Sequence, residues 1–218
     1  MILYGYFRSS AAYRVRIAMN LKGLKPEHRP IQLAKKMQNT DEFRAINPQG
    51  FVPYLIDDDD LKKGSFSLAQ SLAIIEYIND IHPEPPLLPA DPRDRALARS
   101  IALMIACDIH PLNNPKVLDT LTANFGATDE ARTRWYCGWI QEGFTAIEAL
   151  LARQNNQGKY CVGNTPTIAD ICLIPQVTNA NRFKCALDKF PRILEIYNHA
   201  MQHPAFDAAQ PSKQVDAI

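Results

Sequence analysis

The chain has 218 residues, of which 46% are hydrophobic and 22% are charged, and its formal net charge at pH 7 is +1. This length and apolar content predict one large domain or two small ones, with a substantial buried core. A nearly balanced charge gives no basic face of the kind that binds nucleic acid, unless lysines and arginines cluster in space. No apolar run reaches the length needed to span a bilayer, and we expect no signal peptide because the first residues read directly as a strand.

The cysteines are odd in number, widely spaced and contain no Cys-x-x-Cys pair. This pattern argues against a disulfide framework and against a structural zinc site. Most of them lie in apolar surroundings, where cysteine usually packs as a small hydrophobic residue. We therefore expect reduced thiols and a cytoplasmic protein. The five are Cys107, Cys137, Cys161, Cys172 and Cys185.

The first 80 or so residues alternate between strand and helix signals. Residues 2–6 read as a strand, residues 11–22 as a helix with Gly23 at its end, and residues 28–33 as a second strand. Together they predict a right-handed parallel unit. Further on we predict a short helix at 41–45, a strand at 52–56, a solvated turn at 57–60, a strand at 65–68 that pairs antiparallel with the one before it, and a helix at 70–81.

A proline-rich segment marks the clearest boundary in the chain, with five prolines among residues 82–92. Such a segment is stiff and typical of a linker. Beyond it the pattern is helical throughout, and Thr167 with Asp170 resembles a capping box that uses Asp in place of Glu or Gln. We predict an α/β domain at 1–82, a linker at 83–92 and an all-α domain at 93–218. The predicted helices are 93–110, 129–153, 168–181 and 191–202.

Two serines stand where the first strand gives way to the first helix. Ser9 or Ser10 is a good N-cap, because its hydroxyl can accept a hydrogen bond from a backbone N–H that has no partner within the helix. The same helix end carries partial positive charge. A hydroxyl beside a helix N-terminus can hold an anion, although capping alone also explains the serine pair.

Residues 9–18 read Ser-Ser-Ala-Ala-Tyr-Arg-Val-Arg-Ile-Ala. This segment resembles the signature of the zeta class of cytosolic glutathione transferases, the class that includes maleylacetoacetate isomerase. The class signature has cysteine where this chain has Ala11. The resemblance extends over nearly the whole chain through further matching segments at residues 47–48, 52–53, 70–77, 87–89, 175–177 and 181–184.

The resemblance implies a thioredoxin-like N-terminal domain, an all-α C-terminal domain, a homodimer, a cis bond between Val52 and Pro53, and glutathione as cofactor. It also implies cis–trans isomerisation of maleylacetoacetate to fumarylacetoacetate in tyrosine and phenylalanine breakdown. In that reaction the glutathione thiolate adds to the alkene, the resulting single bond rotates, and elimination restores the alkene. Ala11 excludes a protein thiol at its position.

Other functions remain open from the sequence. Maleylpyruvate isomerase uses the same chemistry, and a glutathione-conjugating transferase is a further catalytic alternative. A non-catalytic binding module of the same fold is disfavoured, because the chain keeps both the serine pair and Gln70-Ser71. A thioredoxin-type redox protein is also disfavoured, because residues 9–12 contain no cysteine.

Within this resemblance, Ser9 is our candidate for the hydroxyl that hydrogen-bonds the thiolate, with Ser10 and Tyr6 as alternatives. Arg8 and Arg182 are the candidates for binding substrate carboxylates, since arginine can bind a carboxylate through two hydrogen bonds. Each arginine can equally form an ordinary ion pair.

The remaining candidates are those that we expect to contact glutathione. Gln70 and Ser71, at a helix start, suit the γ-glutamyl carboxylate, and the Val52 backbone suits the cysteinyl part. Gln38 can reach the glycyl end, and the resemblance places His110 and Asn114 in the cleft. Structural alternatives are capping for Gln70 and Ser71, an ordinary strand residue for Val52, a surface loop for Gln38 and a polar helix end for His110 and Asn114. We expect Arg14 and Arg16 to support their own helix and its neighbours, and we expect no metal site.

Overall fold

A computed structural model of the chain describes residues 1–57, 66–153 and 158–217. The chain forms two compact units. One contains Met1–Leu87 together with the C-terminal residues from His203, and the other contains Leu88–Gln202.

A four-stranded sheet organises the first unit, with strand order β2-β1-β3-β4. Its strands are β1 (Ile2–Gly5), β2 (Glu27–Pro30), β3 (Tyr54–Asp57) and β4 (Phe66–Ala69). The β1–β2 pair is parallel and the β3–β4 pair is antiparallel, which confirms both predicted pairings. Most of the turn predicted at 57–60 and the first residue of the strand predicted at 65–68 lie outside the described residues.

Three helices flank this part of the chain: α1 (Ser10–Leu21), α2 (Asp41–Ile46) and α3 (Ser71–Ile81). Helix α1 is buried along most of its length, with Val15, Ile17 and Ala18 at 0% exposure. It has apolar residues on more than one side, so it packs against several neighbours. After α1, Gly23 has φ of +69°, a left-handed conformation that glycine adopts without steric cost.

The second unit is helical, and its helices are α4 (Pro92–Leu103), α5 (Pro115–Phe125), α6 (Asp129–Arg153), α7 (Ile168–Arg182) and α8 (Pro191–Ala200). The helix predicted at 93–110 is α-helical only as far as Leu103, where α4 ends, and a π-helical segment, Met104–Ile109, follows. Helix α5 was not predicted. Its start has ordinary signals, since Asn114 accepts from the Lys116 N–H and a proline occupies the first turn.

Helix α7 begins at the predicted capping box. The Thr167 side chain caps the helix, and the Asp170 carboxylate accepts from the Thr167 N–H at 2.8 Å and from the Thr167 hydroxyl at 2.9 Å. Asp170 also accepts from the Cys161 N–H at 2.7 Å, so one fully buried carboxylate joins the helix start to the preceding loop. Burial raises the pKa of Asp170, and the hydrogen bonds that the carboxylate accepts act in the opposite direction. After α8 the chain forms a last short helix, α9 (Pro204–Ala208), which belongs to the first unit.

A disulfide joins Cys137 in α6 to Cys185, just after α7. The expectation of five reduced thiols is therefore wrong for this pair. The two cysteines are 48 residues apart, and only helix packing brings their Cα atoms to 5.3 Å. The free cysteines of the described chain are Cys107, which is exposed, and Cys161 and Cys172, which are buried.

Across the described ranges, no helix combines the length and the apolar character that crossing a membrane requires.

Candidate active site

Three of the candidate segments emerge from the same end of the sheet. Tyr4 of β1 lies opposite Tyr54 of β3, and Tyr54 lies opposite Ala69 of β4. Because β3 runs antiparallel to both neighbours, its beginning lies beside their ends. The residues that follow β1, precede β3 and follow β4 therefore meet at one edge, and these are the segments that carry Ser9, Val52 and Gln70.

Ser9 is the N-cap of α1. Its Oγ accepts from the Ala12 N–H at 3.2 Å, and its own N–H donates to the Tyr6 carbonyl at 2.9 Å. A hydroxyl has one donor hydrogen and two acceptor lone pairs, so capping uses an acceptor site and leaves the O–H as a donor. Ser9 is only partly buried. The structure thus places a hydroxyl donor at the positive end of a 12-residue helix.

The two alternatives to Ser9 are less accessible. Ser10 is 6% exposed and forms the first residue of α1. Tyr6 is 9% exposed and belongs to an apolar cluster with Tyr4 and Phe7, the Phe7 ring meeting it edge-on with centroids 4.7 Å apart. Both side chains therefore fit a role in packing better than Ser9 does.

The start of α3 is built to attract an anion. Gln70 is its N-cap, with φ of +71°, and no side chain of the described residues caps the helix there. The first N–H groups of α3 are therefore available to a carboxylate. Gln70 itself is exposed, and its amide donates to Gln49 Oε1 at 2.9 Å.

A buried cation supports this helix start. The Arg14 Nη1 donates to Ser71 Oγ at 3.3 Å, and the Arg14 side chain is 2% exposed. A positive charge under the N-terminus of α3 adds to the helix dipole. We predicted that Arg14 supports its own helix and the neighbours of that helix, but the particular bond to Ser71 was not foreseen. The spacing between Arg14 and Ser71 in sequence carries no signal of it.

The loop before β3 completes this edge. The Val52–Pro53 peptide is cis, as the resemblance implied, and the Val52 side chain is buried. Gln38 lies in a short 3₁₀ turn, Met37–Asn39, and its Oε1 is buried without a hydrogen-bond partner among the described residues. A Cβ on Gly50 would come within 2.9 Å of the Gln38 carbonyl, so glycine lets the two loops approach closely.

Arg8 lies between the apolar cluster and the serine pair. It is exposed, and its guanidinium carbon lies 4.9 Å from the Phe7 ring centroid. This cation–π contact orients the side chain while leaving its N–H donors free to bind a carboxylate.

The remaining candidates belong to the second unit. His110 follows the π-helical segment and is partly buried, and Asn114 caps α5 through its Oδ1. Arg182 ends α7, is exposed, and places its guanidinium carbon 4.8 Å from the Phe183 ring centroid. The Phe183 ring in turn stacks on Tyr136 at 3.7 Å. Arg8 and Arg182 therefore share one design, an exposed arginine placed over a phenylalanine ring.

Comparison with known proteins decides the family. The glutathione S-transferase N-terminal domain family matches residues 3–86, and the glutathione S-transferase C-terminal domain family matches residues 116–208. A probable maleylacetoacetate isomerase from Vibrio cholerae is 45% identical, covering 100% of this chain and 98% of the relative. This chain belongs to the zeta-class glutathione transferases.

Solved zeta-class structures agree with this assignment along the full chain. The holo structure of a maleylpyruvate isomerase, described as a bacterial zeta-class glutathione S-transferase, is 42% identical with a TM-score of 0.95 and covers 100% of both chains. A maleylacetoacetate isomerase from Methylobacterium extorquens AM1, crystallised with malonate and glutathione, is 37% identical with a TM-score of 0.94, again covering 100% of both chains. The predicted fold, a thioredoxin-like domain followed by a helical domain, is therefore confirmed.

Proposed function

We propose that this zeta-class transferase is a glutathione-dependent cis–trans isomerase that converts maleylacetoacetate to fumarylacetoacetate. The observation that carries the proposal is the Ser9 hydroxyl, held as the N-cap of α1 with its donor hydrogen available. The similarity of the whole chain to a probable maleylacetoacetate isomerase also supports the proposal.

The residues at the sheet edge fit glutathione. The start of α3, with Ser71 and the buried Arg14 beneath it, suits the γ-glutamyl carboxylate. The backbone at Val52 suits the cysteinyl part, and the unpartnered Gln38 Oε1 suits the glycyl N–H. His110 and Asn114 complete the proposed set of glutathione contacts.

When bound, glutathione supplies the thiolate that adds to the substrate alkene and leaves again after bond rotation. The protein's task is to keep that sulfur deprotonated and to hold the substrate. The Ser9 hydroxyl donates to the sulfur, and the positive end of α1 favours its negative charge. Arg8 and Arg182 bind the substrate carboxylates, and Ala11 offers no competing thiol.

Maleylpyruvate is the second candidate substrate. The solved structure with a TM-score of 0.95 is named a maleylpyruvate isomerase. Both substrates carry the maleyl group with its one carboxylate and a second carboxylate at the far end of the chain, and the two exposed arginines would bind these carboxylates in either case. The two substrates differ only in the chain beyond that group.

The test is to follow each substrate by absorbance, with and without glutathione, and to measure the remaining glutathione thiol afterwards. We expect turnover only with glutathione, no loss of thiol, and the higher kcat/KM with maleylacetoacetate. Faster maleylpyruvate turnover would reverse the substrate assignment. Thiol consumed in step with substrate would indicate a conjugating transferase, and no turnover despite glutathione binding would indicate a non-catalytic module.

We further propose a cytoplasmic homodimer. The cytosol keeps glutathione reduced, and the proposed reaction needs the thiol form. The dimer follows from the architecture implied by the class, and sedimentation velocity tests it directly, since a monomer mass would contradict it.

A further inference from the structure

The backbone between β1 and Ser9 is held by one side chain from helix α1 and one from the C-terminal end of the first unit. The Phe7 N–H donates to Asp216 Oδ2 at 3.0 Å, across 209 residues of sequence. The Phe7 carbonyl accepts from Arg16 Nη2 at 3.1 Å, and the Tyr6 carbonyl accepts from Arg16 Nη1 at 3.4 Å. Both polar groups of the Phe7 backbone are therefore bound by charged side chains.

Arg16 also binds the C-terminal segment of the first unit, residues 203–217, because its Nε donates to the Ala209 carbonyl at 3.1 Å. The Arg16 side chain is 5% exposed, and burial lowers its pKa to about 10, so it stays charged at neutral pH. Hydrogen bonds from a buried cation are stronger than those between neutral groups. Arg16 thus fastens the Tyr6–Phe7 backbone and the C-terminal segment to the same helix.

The Tyr6 carbonyl oxygen links the hydrogen bonds of Arg16 to Ser9. The Tyr6 carbonyl that Arg16 holds also accepts from the Ser9 N–H at 2.9 Å. On the other side of Phe7, Arg8 rests its guanidinium on the Phe7 ring. A shift of the Phe7 backbone would therefore move both the hydroxyl and the cation assigned to the reaction.

A cavity lies on one side of this backbone. Tyr6, Arg16 and Asp216 line a cavity of about 340 Å³, which is also bounded by β2 and by residues 213–215. A backbone beside open space has fewer contacts to hold it than one in a close-packed core. On that side, Asp216 and Arg16 hold the Tyr6–Phe7 backbone by hydrogen bonds, while the side chains of Tyr6 and Phe7 pack in the apolar cluster.

We propose that Asp216 is a positioning residue for catalysis: by binding the Phe7 amide, the C-terminal segment sets the placement of Ser9 and Arg8. This inference rests on the proposed function, since it assigns Ser9 to the glutathione sulfur. It makes Asp216 part of the structure that positions the proposed catalytic site.

The test compares Asp216→Ala with wild type and with Asp207→Ala. Asp207 lies on the same segment and pairs with Lys213 at 2.5 Å, so its variant is a matched control without contact to the Phe7 backbone. Three quantities are measured in the full chain: the pKa of bound glutathione from thiolate absorbance, kcat and KM for the maleyl substrate, and the urea unfolding midpoint. We expect Asp216→Ala to raise the bound thiol pKa and to lower kcat about tenfold, the effect of one lost charge-assisted hydrogen bond. We expect Asp207→Ala to match wild type in thiol pKa and kcat.

Asp216→Asn keeps an acceptor oxygen at the same distance and should restore most of kcat. Asp216→Ser is the second test variant, because its shorter side chain keeps the segment polar without reaching the Phe7 amide. A folded Ala or Ser variant with a wild-type thiol pKa and kcat overturns the inference, as does failure of both variants to fold. If wild type itself neither binds glutathione nor turns over, it is the proposed function that fails, whatever the Asp216 variants show.

Discussion

Replacing Ser9 tests the centre of the proposed site, and the difficulty is that this side chain has two tasks. Its Oγ caps α1 by accepting from the Ala12 N–H, and its O–H is assigned to the glutathione sulfur. Losing an N-cap costs about 0.5–2 kcal/mol of stability when the replacement is alanine, but only a few tenths when it is glycine. Ser9→Gly therefore removes the hydroxyl while keeping most of the cap.

The catalytic effect follows from the second task. A hydrogen bond to a charged group contributes about 1.5–3 kcal/mol. At 1.36 kcal/mol per pKa unit, its loss should raise the pKa of the bound thiol by about one to two units. At a pH below the thiol pKa of the wild-type complex, kcat/KM should fall about 10- to 150-fold in both Ser9→Ala and Ser9→Gly.

The assay is a pH titration of the thiolate absorbance in the binary complex, together with kcat/KM across the same pH range and urea unfolding. Ser9→Thr keeps both the cap and the hydroxyl and serves as the control, which should stay close to wild type. We expect the Gly and Ala variants to share one thiol pKa while differing in stability by about 1 kcal/mol. If Ser9→Gly binds glutathione with an unchanged thiol pKa, the reasoning is refuted, and the assignment passes to Ser10 or Tyr6.

Three further predictions concern the second unit. Asp170→Ala should lower the free energy of unfolding by roughly 3 kcal/mol or more, because it leaves three buried donors without an acceptor. A loss below about 1 kcal/mol, measured by urea unfolding, would contradict this prediction. Under denaturing conditions without reductant, thiol titration should find three reactive cysteines, and five after reduction, since Cys137 and Cys185 are paired. Reduction should also cost about 2–4 kcal/mol of stability, and an unchanged unfolding midpoint would count against it. Arg182→Ala should raise KM for the maleyl substrate more than tenfold, because a lost charge-assisted hydrogen bond costs about 1.5–3 kcal/mol. Arg182→Lys should recover part of the lost substrate binding. Equal KM values in wild type and both variants would remove Arg182 from the substrate site.

Much of the architecture was readable because its signals are local. Hydrophobic periodicity located α1 and α3, and Thr167 with Asp170 predicted the start of α7. The change from α to π geometry at Met104, within the helix predicted at 93–110, has no such signal and was not foreseen. Ser9 was also found locally, since an N-cap and the residues after it are neighbours in sequence.

What the tertiary structure alone decided are the contacts between residues far apart in the chain. The pairing of Cys137 with Cys185, the bond from Arg14 to Ser71 and the bond from the Phe7 amide to Asp216 span 48, 57 and 209 residues. A sequence pattern reports periodicity and caps within a few turns, whereas these contacts exist only after the sheet and the helices have packed. The sequence by itself therefore determined the class of protein and located the N-cap hydroxyl that we propose for its site, and the packed structure determined what holds that hydroxyl in place.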